Sequence, residues 1–310
     1  MLTYVLITPA RNEEAFIELT IKSVVSQTAR PLRWIIVSDG STDRTDEIVN
    51  RYAQDHAWIE LVSRPARAGR DFAGKVGSFN AGYARVQGLK HDIVCSLDAD
   101  LSFDEEFFAF LLERFAEDPK LGLAGAPFSE GGAIYDFRFS SRDHVSGACQ
   151  MFRRECFEAI GGYVPLPGGG IDVVAVLSSR MKGWRTRTFP EKHCVHHRPM
   201  SSANYNNKFV LHYRLGQRAY RLGFHPLWQL FRSTYQMTRK PYVTAGVALS
   251  VGYFSSMIAR EKRPVSKELI QFQQRDQMRR LREFFLCRVL HLAKPESDDV
   301  RDFTTASKKS

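Results

Sequence analysis

Residues 93–100 read "IVCSLDAD", an apolar run that ends in two aspartates one residue apart. Two carboxylates at this spacing repel each other, so folding alone gives no reason to place them there. A cation between Asp98 and Asp100 would remove the repulsion, and Mg²⁺ or Mn²⁺ would suit these oxygen ligands. The motif therefore predicts a divalent-metal site at the end of a strand. The alternative is a solvated turn in which the aspartates cap the following helix.

Apolar runs of strand length occur at residues 4–8, 34–38, 59–63 and 93–97, and segments with helical spacing of apolar residues separate them. Strands that are apolar on both faces and alternate with helices are typical of a parallel sheet covered on both sides. The sequence therefore predicts an α/β fold.

Polar residues at the strand ends are the candidate ligand-binding residues, because such sheets bind ligands beyond the carboxyl ends of their strands. The first strand is followed by "PARNEE" and not by a glycine-rich turn, which argues against dinucleotide-binding and phosphate-loop proteins. The candidates are Pro9, Arg11 and Glu13 after the first strand, Asp39 after the second, and Asp98 and Asp100 after the fourth.

Six segments occur in the order in which family 2 glycosyltransferases carry them: "TPARNEE", "IIVSDGSTDRT", "GKVGSFNAGY", "SLDAD", "GACQMFRRECFEAIGGY" and "GGGIDVVAVLSSRMKGWRT". The chain resembles that family over about its first two thirds. The resemblance implies the glycosyltransferase-A fold, a Rossmann-like, mostly parallel sheet flanked by helices. It also implies inverting transfer of a sugar from a nucleotide-sugar, with a UDP-sugar expected, to a saccharide or lipid-linked acceptor in cell-envelope polysaccharide biosynthesis.

The resemblance also assigns roles to individual residues. Asp98 and Asp100 would bind Mg²⁺ or Mn²⁺ that bridges the donor diphosphate, with Asp98 also in the nucleotide-sugar site. The other nucleotide-sugar residues would be Asp39 at the uracil ring, Pro9, Arg11 and Glu13 around base and ribose, Lys75 at the diphosphate and Asn80 at the floor of the sugar site. The alternatives to these roles are turn and cap chemistry for the residues at the strand ends and a plain surface position for Lys75.

Asp172 is the candidate catalytic base. The family often supplies this base from a Glu-Asp pair at the start of a helix that follows a Gly-Gly turn. Here Gly161-Gly162 precede "YVPLPGGGID", in which Asp172 keeps the second position and Ile171 replaces the first acid. An aspartate at a helix N-terminus is equally suited to capping that helix, so both roles stay open.

Residues 192–202, "KHCVHHRPMSS", contain a candidate third metal ligand. Related folds often take such a ligand from a histidine on a late strand. His196 and His197 would point to opposite sides of an extended chain, so at most one can bind the metal; His196 is the candidate and a structural histidine is the alternative. Arg198 would assist the diphosphate. A zinc site is disfavoured, because Cys194 lacks a spaced set of partner ligands.

Beyond residue 203 the composition becomes aromatic and basic, and residues 242–259 contain no charge. Cations flank this run on both sides, which favours a helix lying in a membrane interface or a re-entrant hairpin over a single crossing. An apolar helix packed on the catalytic domain is the alternative. The predicted parts are 1–203, the catalytic domain; 204–265, a helical membrane-associating segment; and 266–310, an amphipathic helix and disordered tail.

Lys and Arg number 44 against 34 Asp and Glu, a net charge of +10. This excess suits nucleic acid, an anionic membrane surface or phosphorylated substrates. A nucleic-acid-binding protein is one alternative function, but no nucleic-acid module is recognisable and no nucleic-acid partner is expected. A nucleotidyltransferase is another, but it would need a basic, glycine-rich loop after the first strand.

The expected location is the cytoplasmic face of the inner membrane, with peripheral or monotopic attachment. The first residues contain no signal-peptide pattern. Five cysteines without a CxxC pair predict reduced, mostly buried thiols.

Overall fold

The structure is a computed structural model that describes residues 2–65, 72–130, 133–134, 141–166, 168–198 and 207–286. Its strands are β1 (Tyr4–Ala10), β2 (Arg33–Asp39), β3 (Ile59–Arg64), β4 (Ile93–Leu97), β5 (Leu101–Ser102), β6 (Leu121–Gly125), β7 (Phe128–Glu130), β8 (Ala133–Ile134), β9 (Cys149–Arg153), β10 (Arg185–Thr188) and β11 (Cys194–His196). Its helices are α1 (Ile17–Val25), α2 (Thr45–Asp55), α3 (Phe72–Val86), α4 (Phe107–Glu117), α5 (Arg154–Ala159), α6 (Ile171–Met181), α7 (Lys208–Arg221), α8 (Pro226–Met237), α9 (Val243–Ile258) and α10 (Lys267–Phe284).

The central sheet has seven strands in the order β10-β6-β9-β4-β1-β2-β3. Strand β9 runs antiparallel to both of its neighbours, β4 and β6, and all other pairs in this sheet are parallel. The predicted α/β class with a mostly parallel sheet is confirmed. The antiparallel strand was not predicted.

Alternate residues of the central strands contribute to two separate apolar cores. Leu6 and Ile36 face one core, whereas Val5 and Ile35 face the other, as the two-residue period of a strand requires. Helix α3 packs closely on the second core through Gly82, where a Cβ atom would lie 2.7 Å from the Ile7 side chain. Both faces of the sheet are therefore buried, which explains the uniformly apolar runs.

Parallel pairing brings the carboxyl ends of three strands to one edge of the sheet. Pro9 pairs with Val37 across β1 and β2, and Ile7 pairs with Ser96 across β1 and β4. A second sheet, in the order β5-β11-β7-β8, lies beside this edge. In it His196 pairs with Leu101, the residue directly after Asp100. The fold thus places a late strand next to the aspartate turn.

Helix α9 coincides with the uncharged run, and one of its faces packs against α7 and α8. A Cβ atom at Gly216 of α7 would overlap the carbonyl oxygen of Leu249, and one at Gly252 would overlap that of Tyr213. The opposite face exposes apolar side chains: Val243, Val247, Val251 and Ile258. We call these four residues the α9 apolar face. In the part of the chain that the structure describes, no helix has both the length and the apolar character needed to cross a membrane.

The C-terminal helices contact the N-terminal part of the chain. Leu222 and Leu269 belong to the same apolar core as Val5 and Ile171.

The division of the chain into three parts stays a prediction. Its boundary at residues 203 and 204 lies outside the described residues, as does the tail from residue 287. The four described cysteines are buried free thiols; Cys287 is outside the described residues.

Helix α10 is attached to α6 by an ion pair between Asp276 and Arg180, with N–O distances of 2.9 and 3.1 Å. Arg280 lies 2.8 Å from the same carboxylate. Burial by itself would raise the pKa of Asp276, but the hydrogen bond from Arg180 and the charge of Arg280 outweigh burial and lower it. The carboxylate therefore stabilises the folded chain only while it is ionised.

We expect Asp276→Asn to lower the free energy of unfolding by about 2 kcal/mol at pH 7, because Arg180 loses its hydrogen bonds to a carboxylate. Asp143 remains near both cations, 3.1 Å from Arg280 and 4.0 Å from Arg180. The pKa of Asp276 is lower in the folded than in the unfolded state. Its contribution is therefore complete above the unfolded pKa of about 4 and is lost as the pH falls towards the folded pKa. Urea denaturation at pH 7 and pH 3 should show that the difference between wild type and variant shrinks at the lower pH.

Glu283→Gln is the matched control on the same helix. Glu283 pairs with the half-exposed Arg279 at 3.4 Å, and its loss should cost less than about 1 kcal/mol. Equal destabilisation by the two variants would contradict the role assigned to Asp276.

Candidate active site

Asp98, Asp100 and His196 form a cluster whose potential ligand atoms all lie within 4.8 Å of one another. The two aspartates lie in the turn after β4, and His196 is on β11. Asp100 and His196 are buried, and Asp98 is partly buried. The pairing of β11 with β5 brings the histidine to the aspartates. The structure therefore assembles the three residues for which the sequence predicted metal binding. We call Asp98, Asp100 and His196 the metal cluster.

Two buried polar atoms of this cluster, Asp100 Oδ1 and His196 Nδ1, have no hydrogen-bond partner among the described residues. Native structures rarely leave such atoms unpartnered unless they serve a ligand. Burial and the nearby charge of Asp98 raise the pKa of Asp100, which shows that the pair of carboxylates is electrostatically unfavourable by itself. Two carboxylates and an imidazole are suitable donors for Mn²⁺ or Mg²⁺, so the residues present fit a divalent cation.

Lys75, on α3, contacts the Asp98 carboxylate and donates a hydrogen bond to the Gly147 carbonyl oxygen at 3.3 Å. Burial would lower the pKa of Lys75, but the charge of Asp98 outweighs burial and raises it. Lys75 is therefore a cation held beside the cluster of Asp98, Asp100 and His196. It is not a plain surface lysine.

Arg198 connects the cluster to the turn after β1. Its guanidinium contacts the buried Glu13 carboxylate and lies 3.6 Å from Asp100. The guanidinium also lies over the ring of Phe16, 5.5 Å from the ring centre. Glu13 is therefore held by a cation that also faces the metal cluster.

His197 directly follows β11 and is not one of the cluster residues. Its Nε2 lies 2.8 Å from Ser102 Oγ, and its ring stacks on Phe16 at a centroid distance of 6.2 Å. His197 is therefore a structural residue that fixes β11 beside the aspartate turn.

Asp39 is buried at the end of β2 and accepts a hydrogen bond from Arg64 at 3.1 Å, and Arg11 lies 3.9 Å from its carboxylate. Arg64 also donates to Ser78 Oγ on α3 at 2.8 Å. Arg64 was not among the candidate residues at the strand ends. It is the last residue of β3, so the rule that selected the polar residues at the other strand ends applies to it as well.

Two further residues predicted to bind the nucleotide-sugar, Pro9 and Asn80, do not belong to the metal cluster. Pro9 is half-buried within β1, one pairing position before its end. Asn80 is exposed on α3. At about 100° per residue it lies about 140° around the helix axis from Lys75. The structure does not bring Asn80 to the metal cluster, and its place at the sugar site stays a prediction.

Asp172 is the second residue of α6, and Gly170 with a φ of 93° occupies the N-cap position. The aspartate therefore does not cap the helix, although the helix dipole favours its charge. A Cβ atom at Gly147 would lie 3.0 Å from the Asp172 Cβ, so the carboxylate is close to the Gly147 backbone that Lys75 contacts. The structure thus places Asp172 next to the metal cluster.

His144 is a further residue near Asp172 that the sequence did not indicate. Burial lowers its pKa, against the opposite effect of the Asp172 charge. A neutral imidazole therefore lies beside the candidate base. No spacing in the sequence marks His144, because it lies outside regular secondary structure.

Residues 5–161, just over half of the chain, match the family model described as "Glycosyl transferase family 2". A probable glycosyltransferase, YdaM, of Bacillus subtilis is 33% identical over 123 residues, which are 39% of this chain and 28% of the relative. A poly-beta-1,6-N-acetyl-D-glucosamine synthase of Staphylococcus aureus is 31% identical over 117 residues, which are 37% of this chain and 26% of the relative. The aligned region thus spans only about a quarter of these relatives.

Solved structures share the fold at low sequence identity. A mannosyltransferase of Pyrobaculum calidifontis, in complex with GDP-Man and Mn²⁺, has a TM-score of 0.56 at 19% identity and covers 90% of this chain and 81% of its own. Residues 1–349 of S. aureus TarS, in complex with UDP-GlcNAc, have a TM-score of 0.53 at 11% identity and cover 88% and 78% of the respective chains.

The family match at residues 5–161 includes Asp39 at the end of β2, Lys75 on α3 and the aspartate turn after β4, and the solved neighbours share the overall fold. The predicted glycosyltransferase-A fold with a C-terminal helical extension is therefore confirmed. The chain belongs to glycosyltransferase family 2.

Proposed function

We propose that this glycosyltransferase is a metal-dependent, inverting enzyme that transfers a sugar from a UDP-sugar to a saccharide or lipid-linked acceptor in cell-envelope polysaccharide biosynthesis. The cluster of Asp98, Asp100 and His196 beside the cation Lys75 carries the proposal. A curated relative that is a polysaccharide synthase and a solved neighbour that binds UDP-GlcNAc support the choice of donor and product. Family membership favours this function over the nucleotidyltransferase and nucleic-acid alternatives.

The donor diphosphate would lie between the metal cluster and Lys75. Asp98, Asp100 and His196 would hold Mg²⁺ or Mn²⁺, which stabilises the negative charge on the departing diphosphate. Lys75 would donate a hydrogen bond to a diphosphate oxygen in exchange for its contact with Asp98. Arg198 would keep Glu13 and Asp100 in place and add a second positive charge.

The nucleoside would lie over the ends of β1 and β2. Asp39 would accept a hydrogen bond from the uracil N–H, and Arg11 and Arg64 lie 3.9 and 3.1 Å from its carboxylate. Pro9 and Glu13 would border base and ribose, and Asn80 would lie towards the sugar. These roles come from the family pattern and from the position of each residue at the sheet edge.

Asp172 would remove the proton from the acceptor hydroxyl. The hydroxyl oxygen then attacks the anomeric carbon from the face opposite the diphosphate. A carbon–oxygen bond to the acceptor forms while the bond to the diphosphate breaks, so the configuration inverts. Gly147, with no side chain, lets Asp172 approach the sugar site closely.

The α9 apolar face would lie against an anionic lipid surface on the cytoplasmic leaflet. The four side chains recur at helical spacing, and exposed cations flank the helix at Lys240, Arg260 and Lys262. Apolar burial combined with cations is the usual basis of interfacial attachment. A cytoplasmic position also gives access to nucleotide-sugars.

Mixed with a panel of nucleotide-sugars that includes GDP-mannose, the wild-type protein in detergent with Mn²⁺ should release nucleoside diphosphate from a UDP-sugar. Asp100→Asn should reduce this release at least a hundredfold, because the metal cluster loses a charged ligand. Electron paramagnetic resonance should show weaker Mn²⁺ binding by the variant.

Asp104→Asn is the matched control, because Asp104 follows β5, outside the cluster of Asp98, Asp100 and His196, and its carboxylate pairs with Lys192 at 2.8 Å. It should retain activity and Mn²⁺ binding. Full activity of Asp100→Asn, or of wild type in excess chelator, would contradict the metal role.

Asp172→Asn should fold with unchanged thermal stability and bind the donor normally, because Gly170 and not Asp172 occupies the cap position. Transfer to an acceptor should fall about a hundredfold or more, as is typical for loss of a general base. Donor affinity by calorimetry and turnover should be measured in parallel. Near-normal turnover would leave Asp172 with a structural role only.

Val247→Asp combined with Val251→Asp should prevent cosedimentation with vesicles that contain phosphatidylglycerol. Both side chains are at least 40% exposed, so the substitutions should leave the fold intact while placing charges in the lipid interface. Wild-type protein should sediment with these vesicles and bind pure phosphatidylcholine more weakly, since the cations contribute.

Leu19→Asp combined with Leu89→Asp is the control, because both leucines are similarly exposed but lie far from α9 in the sequence. This variant should sediment like wild type. Wild-type protein that stays in solution with both kinds of vesicle would contradict the membrane proposal.

A further inference from the structure

A second cavity, of about 690 Å³, lies between the end of α7, the glycine turn before α6 and the loop from α9 to α10. This volume is within the roughly 300–1,000 Å³ that small-molecule sites occupy. Four cationic side chains line it: Arg218, Arg221, Lys262 and Arg263. Ser266, which caps α10, contributes a hydroxyl group and the N-terminal end of that helix.

The charges around this cavity are not balanced within the described residues. Arg221 pairs with Glu261 at 2.7 Å, whereas Arg218 and Lys262 have no carboxylate partner there. The Arg263 Nε atom is buried without a hydrogen-bond partner in the same part of the structure. Folding alone gives no reason to gather cations in this way, since like charges repel.

Arg232 on α8 adds to the imbalance. Burial, together with the charge of Arg218, lowers the pKa of Arg232 to about 10. Its guanidinium lies over the Phe224 ring, 5.0 Å from the ring centre. Arg232 does not line the cavity, but its charge and that of Arg218 repel each other.

The cavity lies next to the candidate base and not only next to the C-terminal helices. Gly168 and Gly169 line it, and they lead directly into α6 and Asp172. Burial is the main cause of the lowered pKa of His144, and the charges of Asp172 and Arg218 act on that pKa in opposite directions.

We propose that this cavity binds a phosphate or diphosphate group of the acceptor, so that the acceptor is a phosphate ester. The inference rests on the proposed transferase function and specifies its acceptor. Four cations can neutralise such a group, and charge-assisted hydrogen bonds from arginine match the geometry of its oxygens. In the proposed function, Lys75 and the divalent cation neutralise the donor phosphates. The four cations of the cavity are therefore available for a phosphate of the acceptor.

Two kinds of acceptor carry this group: a lipid phosphate and a water-soluble phosphorylated saccharide. Helix α9 ends at Ile258, the most exposed residue of the α9 apolar face at 79%, and Lys262 of the cavity follows four residues later. A lipid phosphate could therefore place its phosphate in the cavity and its hydrocarbon chain along α9.

Calorimetric titration of the full chain in EDTA with farnesyl phosphate, inorganic phosphate and farnesol tests this proposal. EDTA removes divalent cations, so that the donor site contributes little. Farnesyl phosphate should bind, and Arg218→Gln and Lys262→Gln should each weaken its binding at least tenfold. Both substitutions remove repelling charges, so they should not destabilise the fold.

Arg275→Gln is the matched control, since this exposed residue of α10 does not line the cavity and the variant has the same net charge. Its affinity for farnesyl phosphate should equal that of wild type. Tighter binding of farnesyl phosphate than of inorganic phosphate identifies a lipid-linked acceptor. Equal binding of the two identifies a small phosphate ester. Either result supports the proposal if the binding is weakened in Arg218→Gln.

Three results would overturn the proposal: no binding of either phosphate, equal binding of farnesol and farnesyl phosphate, or wild-type affinity in Arg218→Gln. Because binding is measured without turnover, these results are independent of the donor panel. If the protein binds farnesyl phosphate but cleaves no nucleotide-sugar, the transferase function is refuted, while phosphate binding by the cavity is still supported.

Discussion

The repulsion between Asp98 and Asp100 is the constraint on which the site depends. The fold holds these two carboxylates close together at the end of a buried strand, where water cannot screen them fully. Lys75 from α3, Arg198 after β11 and His196 on β11 all lie around them. Helix α3 and the end of β11, two segments that are distant in sequence, are thus held beside the same negative charge through Lys75 and Arg198. A divalent cation would complete the compensation.

The positions of these elements follow from the sheet. Parallel pairing of β1, β2 and β4 brings their carboxyl ends to one edge, and the small second sheet adds β11 beside the aspartate turn. Leu222, directly after α7, packs against Gly170 at the start of α6, the helix that carries Asp172. The predicted metal ligands and the candidate base are therefore supported by different parts of the chain.

The sequence predicted the four parallel strands because strands buried on both faces have a uniform apolar composition. It predicted Asp98 and Asp100 as metal ligands because a cation between them would relieve the repulsion that their spacing creates. It could not predict antiparallel β9, since a short apolar strand has the same composition in either direction. His144 and the cavity arginines were also missed, because their roles come from contacts between distant segments. The exposed apolar face of α9 appears only when the packing of its other face is known.

The contact between α7 and α9 has a consequence for where mutations would act. At Gly216 and Gly252 the two helices meet backbone to backbone, with no side chain between them that could adjust. Even alanine there would push the helices apart. Helix α7 ends beside Leu222, whose side chain lies against Gly170, directly before the helix that carries Asp172. Substitutions at the crossing of α7 and α9 should therefore reduce turnover, although this crossing lies outside residues 5–161, the region that matches the family model.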